Sequence, residues 1–243
     1  MPVKADYGLD APSVVRNSAV IGVVCLIIGL FLCLKAVPVR PIAGGIFALA
    51  GFLLGIAMLA AAGLMVWSSK YGKLLERELM IDTLELAGHE KVLDIGCGRG
   101  LLLNGMARRL HGGRAFGIDL WQENDLSGNR LEATLANAEA EGVADRVEIK
   151  TADMRELPFP DLTMDVVVSS LAIHNISDAE GRQRAIREMV RVLKPKGRLV
   201  LQDIRFTDEY AKIIRDLGCK DVTVSRLNFL IFPPIRIVSA TKP

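Results

Sequence analysis

Two long stretches without a single charged residue constrain this 243-residue chain before anything else does. Asn17–Leu34 runs for 18 residues and Pro41–Ser69 for 29. About 20 apolar residues cross a hydrocarbon core of roughly 30 Å, so the first stretch just suffices. The second has a surplus that tilt or an extension into water absorbs. Trp67 closes the second stretch, where an amphipathic ring favours the membrane–water boundary. Lys35-Ala-Val-Pro-Val-Arg-Pro41 separates the two and, with its two prolines, suits a tight helical hairpin. The expectation is a membrane anchor over residues 1–69, with spans at about 17–34 and 42–67, followed by a second domain at 70–243. A cleaved signal peptide fits poorly: Asp6 and Asp10 precede the run, no small-residue cleavage site follows it, and a second span comes directly after.

Lys4, Arg16, Lys70, Lys73 and Arg77 flank the spans, against Lys35 and Arg40 between them. That bias places both termini on the cytoplasmic side of an inner membrane, as an integral membrane protein. Gly22 and Gly29 lie seven apart on one face of the first span, and Gly51 and Gly55 form a GxxxG in the second. Small residues let helix backbones approach closely in lipid. Packing within the hairpin and homodimerisation through the spans both account for them.

Beyond residue 67 the chain holds 26 basic and 26 acidic side chains. This balance gives no pull toward nucleic acid and leaves ample apolar sequence for a core, which excludes disorder. Cys25, Cys33, Cys97 and Cys219 show no metal-binding or redox spacing, so reduced thiols and no metal site are expected. Short β-rich runs at Lys91–Ile95, Arg114–Ile118, Arg146–Lys150, Met164–Ser169 and Arg198–Asp203 alternate with helical patterns. The helical patterns are Tyr71–Ala87, Leu101–Leu110, Gly128–Glu141, Asp178–Leu193 and Asp208–Leu217. Ser177-x-x-Glu180 reads as a capping box, and Lys194-Pro195-Lys196-Gly197 as the stop of that helix. Such alternation predicts an α/β fold with a doubly wound parallel sheet. Val222–Leu227 and Ile235–Thr241, with no helix between them, predict a terminal antiparallel hairpin at its edge.

Val92-Leu-Asp-Ile-Gly-Cys-Gly-Arg-Gly100 closes the first strand and opens the first helix. Glycines there permit a tight turn and bring backbone amides to a ligand at a helix N-terminus. Gly96, Gly98 and Gly100 are spaced G-x-G-x-G; a dinucleotide fingerprint needs its third glycine at position 101, which is Leu101. With Asp94 two residues before the first glycine, this loop resembles the first motif of the class I S-adenosylmethionine-dependent methyltransferases. The similarity continues in order through Gly117-Ile-Asp119, Thr151-Ala-Asp-Met154, Asp165-Val-Val-Val-Ser-Ser-Leu171 and Arg191-Val-Leu-Lys-Pro-Lys-Gly197. It covers about residues 71–241 and implies a Rossmann-like seven-stranded sheet with S-adenosylmethionine as cofactor. It further implies a cofactor site of Asp94, Gly96, Cys97, Gly98 and Gly100, with Asp119 on the ribose hydroxyls beside Leu120. Asp153 and Met154 bracket the adenine, and Ser170 ends strand four. Lys196 stands where the family commonly has a second glycine.

Methyl transfer from a sulfonium needs alignment and exclusion of water more than covalent help. A base matters only where the acceptor must first lose a proton. His174, with Asn175, follows strand four on the acceptor side and is the candidate; hydrogen bonding within the loop is the structural alternative. Quinone-ring C-methyltransferases are similar over this segment, but they typically carry Arg where His174 stands and lack the hairpin, so their substrate does not carry over. No Asn/Asp-Pro-Pro-Tyr or Pro-Cys follows strand four, which argues against adenine or glutamine amino-group and pyrimidine C5 methylation. Asp203 is an isolated acid at strand five, too little for a metal. The partners expected are the lipid bilayer and a lipophilic small-molecule acceptor. A small soluble acceptor, or a non-catalytic cofactor-binding module, are the alternatives. The apolar Asn228-Phe-Leu-Ile-Phe-Pro-Pro-Ile235 connection either dips into the membrane boundary or packs beneath the sheet and lines the pocket.

Overall fold

The chain was analysed as a computed structural model that describes residues 4–34, 41–123 and 125–243. Helix α1 spans Pro12–Leu34 and α2 spans Pro41–Trp67. The first helix thus begins five residues before the charge-free run and takes in the exposed Arg16. The expected tight loop at 35–40 lies outside the described residues.

The two helices pack through glycine. A Cβ on Gly22 would stand 2.8 Å from Leu59 Cγ and 3.0 Å from the Gly55 carbonyl, and one on Gly51 would stand 3.2 Å from the Cys25 carbonyl. Gly29 faces Ala48 and Phe52 in the same way. All four glycines are therefore taken up within the hairpin. The outer faces carry Val20, Ile27, Phe31, Phe47 and Leu53, each more than half exposed, a larger apolar surface than soluble monomers leave uncovered.

Helix α2 does not stop at the expected boundary. It runs through a single π-helical turn, Ser68–Gly72, into α3 at Lys73–Thr83, making one helix of 41 residues from Ala43 to Thr83. The first two turns of α3 depart from the usual pattern, while Met80 and Ile81 further along join the core. The charged Lys73, Glu76 and Arg77 are buried against the domain, while Tyr71, Leu75 and Leu79 face outward.

The remaining elements are β1 Lys91–Ile95, α4 Leu101–Arg109, β2 Arg114–Asp119, α5 Leu131–Ala140, β3 Val147–Thr151, β4 Met164–Ser170, α6 Ala179–Val192, β5 Leu193–Asp203, α7 Thr207–Asp216, β6 Lys220–Val224 and β7 Arg236–Thr241. They form a seven-stranded sheet ordered β3-β2-β1-β4-β5-β7-β6. The first five strands are parallel and β7 is antiparallel to both neighbours. The C-terminal hairpin is thus present, but β7 inserts beside β5 and β6 takes the edge. Val92–Leu93 of β1 and Val166–Val168 of β4 are consecutive buried aliphatics because helices cover both faces of the sheet. Ile186, Met189, Tyr210 and Ile214 pack on one side, with Met80, Ile81, Leu103 and Met106 on the other.

Three local expectations change. Asp178, not Ser177, caps α6, accepting from the Gly181 amide at 2.6 Å. The carboxylate one residue later sits closer to the exposed amides of the first turn. Helix α5 starts at Leu131 rather than Gly128, because residues 125–129 form a turn that holds the chain leader. Lys196, expected in a turn ahead of the strand, lies within β5 and takes φ +64°. That left-handed conformation is the physical reason a glycine suits the position.

Candidate active site

The order 3-2-1-4-5 makes β1 and β4 neighbours whose onward connections leave in opposite directions. A crevice opens at the carboxyl ends of the strands, where ligands bind in open α/β sheets. Register aligns those ends: Ile95 pairs with Ser169, Ser170 with Gln202, and Asp119 with Thr151. A cavity of about 810 Å³ occupies the crevice, within the range of small-molecule sites.

At the first of these ends the glycine loop is held against β2. The amides of Gly96 and Cys97 both donate to the Ile118 carbonyl, at 2.9 and 3.0 Å. Gly96 and Gly98 take φ +72° and +51°, and a Cβ on Gly96 would lie 2.3 Å from Ala172 Cβ. Only glycine leaves the backbone bare to the cavity there. Asp94 is 2% exposed and accepts from the Leu103 amide at 3.0 Å, capping α4 from beneath. Burial pushes its carboxyl up to about 7. The Asp119 carboxylate accepts from the Gly98 amide at 2.8 Å and the Trp121 amide at 2.6 Å, with Asn129 Nδ2 at 3.2 Å. A carboxylate has about four acceptor positions, so Asp119 keeps capacity for a ligand's hydroxyls.

Asp94, Gly96, Cys97, Gly98, Asp119, Leu120, Asp153, Met154, Ser170, His174 and Asn175 all line this one cavity. Gly100 does not: its added Cβ would meet Thr134 at 3.0 Å and Asn104 at 3.1 Å, so it serves helix packing behind the loop. Cys97 is buried and desolvation holds its thiol well above the ordinary range, which makes it inert filler. Asp153 is tied to Arg155, whose guanidinium keeps the carboxyl below its usual value. Trp121 bonds Thr151 Oγ1 through its indole and stands outside the cavity.

His174 and Asn175 lie on a short 3₁₀ turn, Ile173–Asn175, after β4. His174 Nδ1 is 2.6 Å from Asp203 Oδ1, and Asp203 is 1% exposed. Asp203 also accepts from the His174 amide and the Tyr210 hydroxyl, both at 3.1 Å, and from the Ile204 amide at 2.7 Å. Burial and the adjacent carboxylate push the Tyr210 phenol upward, so it stays a donor. Asp203 is thus a carboxylate fixed by three donors beside the imidazole, close to Nδ1 but not aligned with it as a hydrogen bond, a proximity invisible while it read as a lone acid 29 residues away. Asn175 Nδ2 bonds Asp125 at 2.9 Å and so holds the loop after β2.

The far wall comes from elements that sequence motifs did not mark. Tyr7, Asp10, Val14, Met65, Lys73, Glu76, Ile231 and Phe232 all reach it. Lys73 Nζ donates to the carbonyls of Tyr7 and Gly8 at 2.8 and 3.0 Å and contacts Asp10 at 3.1 Å. The outward leucines of α3 were the available signal, since they force its charged face inward.

The site fits S-adenosylmethionine on its own geometry: a bare glycine cradle, a carboxylate with free capacity, and buried polar atoms of Asn129 and Gln202 without protein partners. Among the described residues no cluster of metal-binding side chains occurs.

Residues 93–201 match the family described as methyltransferase domain. The chain is 37% identical over 151 residues to 27-O-demethylrifamycin SV methyltransferase of Amycolatopsis mediterranei, covering 60% of this chain and 52% of that protein. It is 34% identical over 125 residues to a ubiquinone/menaquinone biosynthesis C-methyltransferase of Roseobacter denitrificans, covering 51% and 46%. The chain spans about half the length of the curated relatives it matches. The crystal structure of YcgJ from Bacillus subtilis superimposes with a TM-score of 0.56 at 18% identity, over 69% of this chain and 98% of that one. Over residues 93–201, then, this chain is similar to the family described as methyltransferase domain.

Proposed function

We propose that this protein is a membrane-anchored enzyme that methylates a protic group, foremost a hydroxyl, on a lipophilic small molecule. One observation carries the reading. A single cavity has the glycine loop and Asp119 on one side and, on the other, Val14 and Met65 from the ends of two apolar helices. The domain packs against both of those helix ends, so a membrane-embedded hairpin would leave the bilayer on the domain's own side.

Asp119 would hold the ribose of S-adenosylmethionine, Asp153 and Met154 its adenine, and Gly96, Gly98 and Ser170 the remainder. The cofactor supplies a methyl group already activated on a sulfonium. His174 acts on the acceptor: with Nδ1 against Asp203, its Nε2 accepts the hydroxyl proton, and Asp203 stabilises the resulting imidazolium. Asn175 keeps the loop with Asp125 closed over the site. The walls formed by Met65, Ile231 and Phe232 exclude water and suit an apolar body.

The test uses the full-length protein in nanodiscs with methyl-labelled S-adenosylmethionine and a lipid extract of the host membrane. Label in an alkali-stable, organic-soluble product supports the reading. Label only in water-soluble products assigns a soluble acceptor, and cofactor binding without transfer to either fraction assigns a binding module.

A further inference from the structure

The connection between β6 and β7 runs down the side of the long helix. Asn228 Nδ2 donates to Glu76 Oε2 at 2.5 Å, and a Cβ on Gly72 would stand 1.8 Å from the Leu230 carbonyl. The Phe232 amide donates to Ser68 Oγ at 2.9 Å. Residues 228, 230 and 232 thus descend past 76, 72 and 68. With a rise of about 1.5 Å per residue, Asn228 sits about 13 Å above Trp67, and Phe232 sits level with it. The start of α1 arrives at the same height, because the Asp10 amide bonds Ser69 Oγ at 3.1 Å.

Three elements therefore converge at the level of Trp67: the first turn of α1, the last turn of α2, and the tip of the 228–235 connection. Their side chains Val14, Met65, Ile231, Phe232 and Pro233 all line the cavity. Val14 is also 48% exposed, so it borders both the cavity and the outside. Exposed Arg16 and Lys70 flank this level, as suits anionic lipid headgroups. His174 lines the same cavity.

We infer that the cavity opens to the bilayer through a portal framed by Val14, Met65 and Ile231–Pro233. The acceptor is an amphiphile whose head is methylated while its tail stays in lipid. This rests on the proposed embedding of the hairpin. It goes beyond that embedding by fixing the route of access and the shape of the substrate. A water-soluble acceptor needs no apolar rim at headgroup depth; a tailed one does.

The chain's two tryptophans provide internal controls. Trp67 marks the membrane boundary, and Trp121 sits at the carboxyl end of β2, bonded to Thr151. Single-tryptophan proteins would carry Trp67 alone, Trp121 alone, or, with both replaced by Phe, Phe232→Trp or Val14→Trp. Each is reconstituted in phosphatidylcholine vesicles brominated near the top of the acyl chain. The portal requires the probes at 232 and 14 to be quenched about as strongly as Trp67, with Trp121 unaffected. Quenched Trp67 with either new probe unquenched overturns the portal and leaves the anchor standing. Unquenched Trp67 overturns the anchor and the portal with it. Far-UV circular dichroism and retained S-adenosylhomocysteine binding establish that each variant is folded.

Discussion

The two halves of the cavity are built by different means. The cofactor half is assembled from short turns at the ends of β1, β2 and β4, each lying within a few residues of its strand. Its chemistry is local: a glycine conformation, a carboxylate at a strand end, a capped helix. The acceptor half is assembled from residues 7–14, 65–77 and 231–233, segments that meet only after the hairpin, the long helix and the terminal connection have docked. Local sequence determines what cofactor is bound, whereas tertiary docking determines what reaches it. The first half falls within the segment similar to methyltransferase domains; the second depends on how the N-terminal helices dock.

Two substitutions separate the halves most sharply. Asp119→Ala removes the acceptor of two backbone amides and of the ribose hydroxyls. Charge-assisted hydrogen bonds contribute about 1.5–3 kcal/mol each, so S-adenosylhomocysteine affinity should fall about 100-fold or more in calorimetric titration. Unchanged affinity would remove the ribose from this position. His174→Ala should leave that affinity intact and lower transfer by about 100-fold, the usual scale of general-base catalysis. Asp203→Asn should follow it in rate. Equal loss of binding and rate in His174→Ala would make the turn structural rather than catalytic.

Asp94 tests the cofactor half through stability. Its carboxyl is raised from 3.8 to about 7 in the fold. The native state therefore binds more protons than the unfolded chain between those values, and stability declines as pH rises through that window. Linkage gives about 2 kcal/mol between pH 5.5 and pH 8 from this group. Asp94→Asn keeps an oxygen for the Leu103 amide and abolishes that component. Its melting temperature should gain on that of the native protein as pH rises from 5.5 to 8. Parallel pH profiles would mean the carboxyl titrates normally.

Legibility in the sequence followed the same division. The strands, the glycine loop, Asp119 and Asp153 could be read because each is specified within about ten residues of chain. Gly100 lies outside the cavity lining, which spacing alone could not foresee because it does not distinguish a glycine facing the cavity from one facing Thr134. Asp203 looked isolated because its partner His174 reaches it across β4 and β5. The long helix was divided at position 69 because the charge pattern changes there, although backbone hydrogen bonding does not stop. Lys73 and Arg77 were counted as flanking charge. Only the packing of α3 shows that they are buried, with its leucines turned outward.

Lys73 provides the finest comparison, because it joins the halves. Its ammonium is buried and holds the leader through the carbonyls of Tyr7 and Gly8 and the Asp10 carboxylate. Burial pushes its pKa down against the pull of Asp10. The leader in turn holds the cofactor side. The Leu9 carbonyl accepts from Ser127, the Ala11 amide donates to Asp125, and Asp6 contacts Arg99 of the glycine loop at 2.9 Å. Lys73→Met keeps the stem and removes the charge, leaving Asp10 without its partner and three oxygens without a donor. Breaking a buried pair costs several kcal/mol, but part of that is recovered where Asp10 turns to water, being 31% exposed. The expected result is a lower melting temperature together with a roughly tenfold weaker S-adenosylhomocysteine affinity, equivalent to about 1.4 kcal/mol. A drop in melting temperature with unchanged affinity would show that the leader merely rests on the domain. A drop in both would show that the path from the membrane helix to the cofactor loop is mechanically continuous.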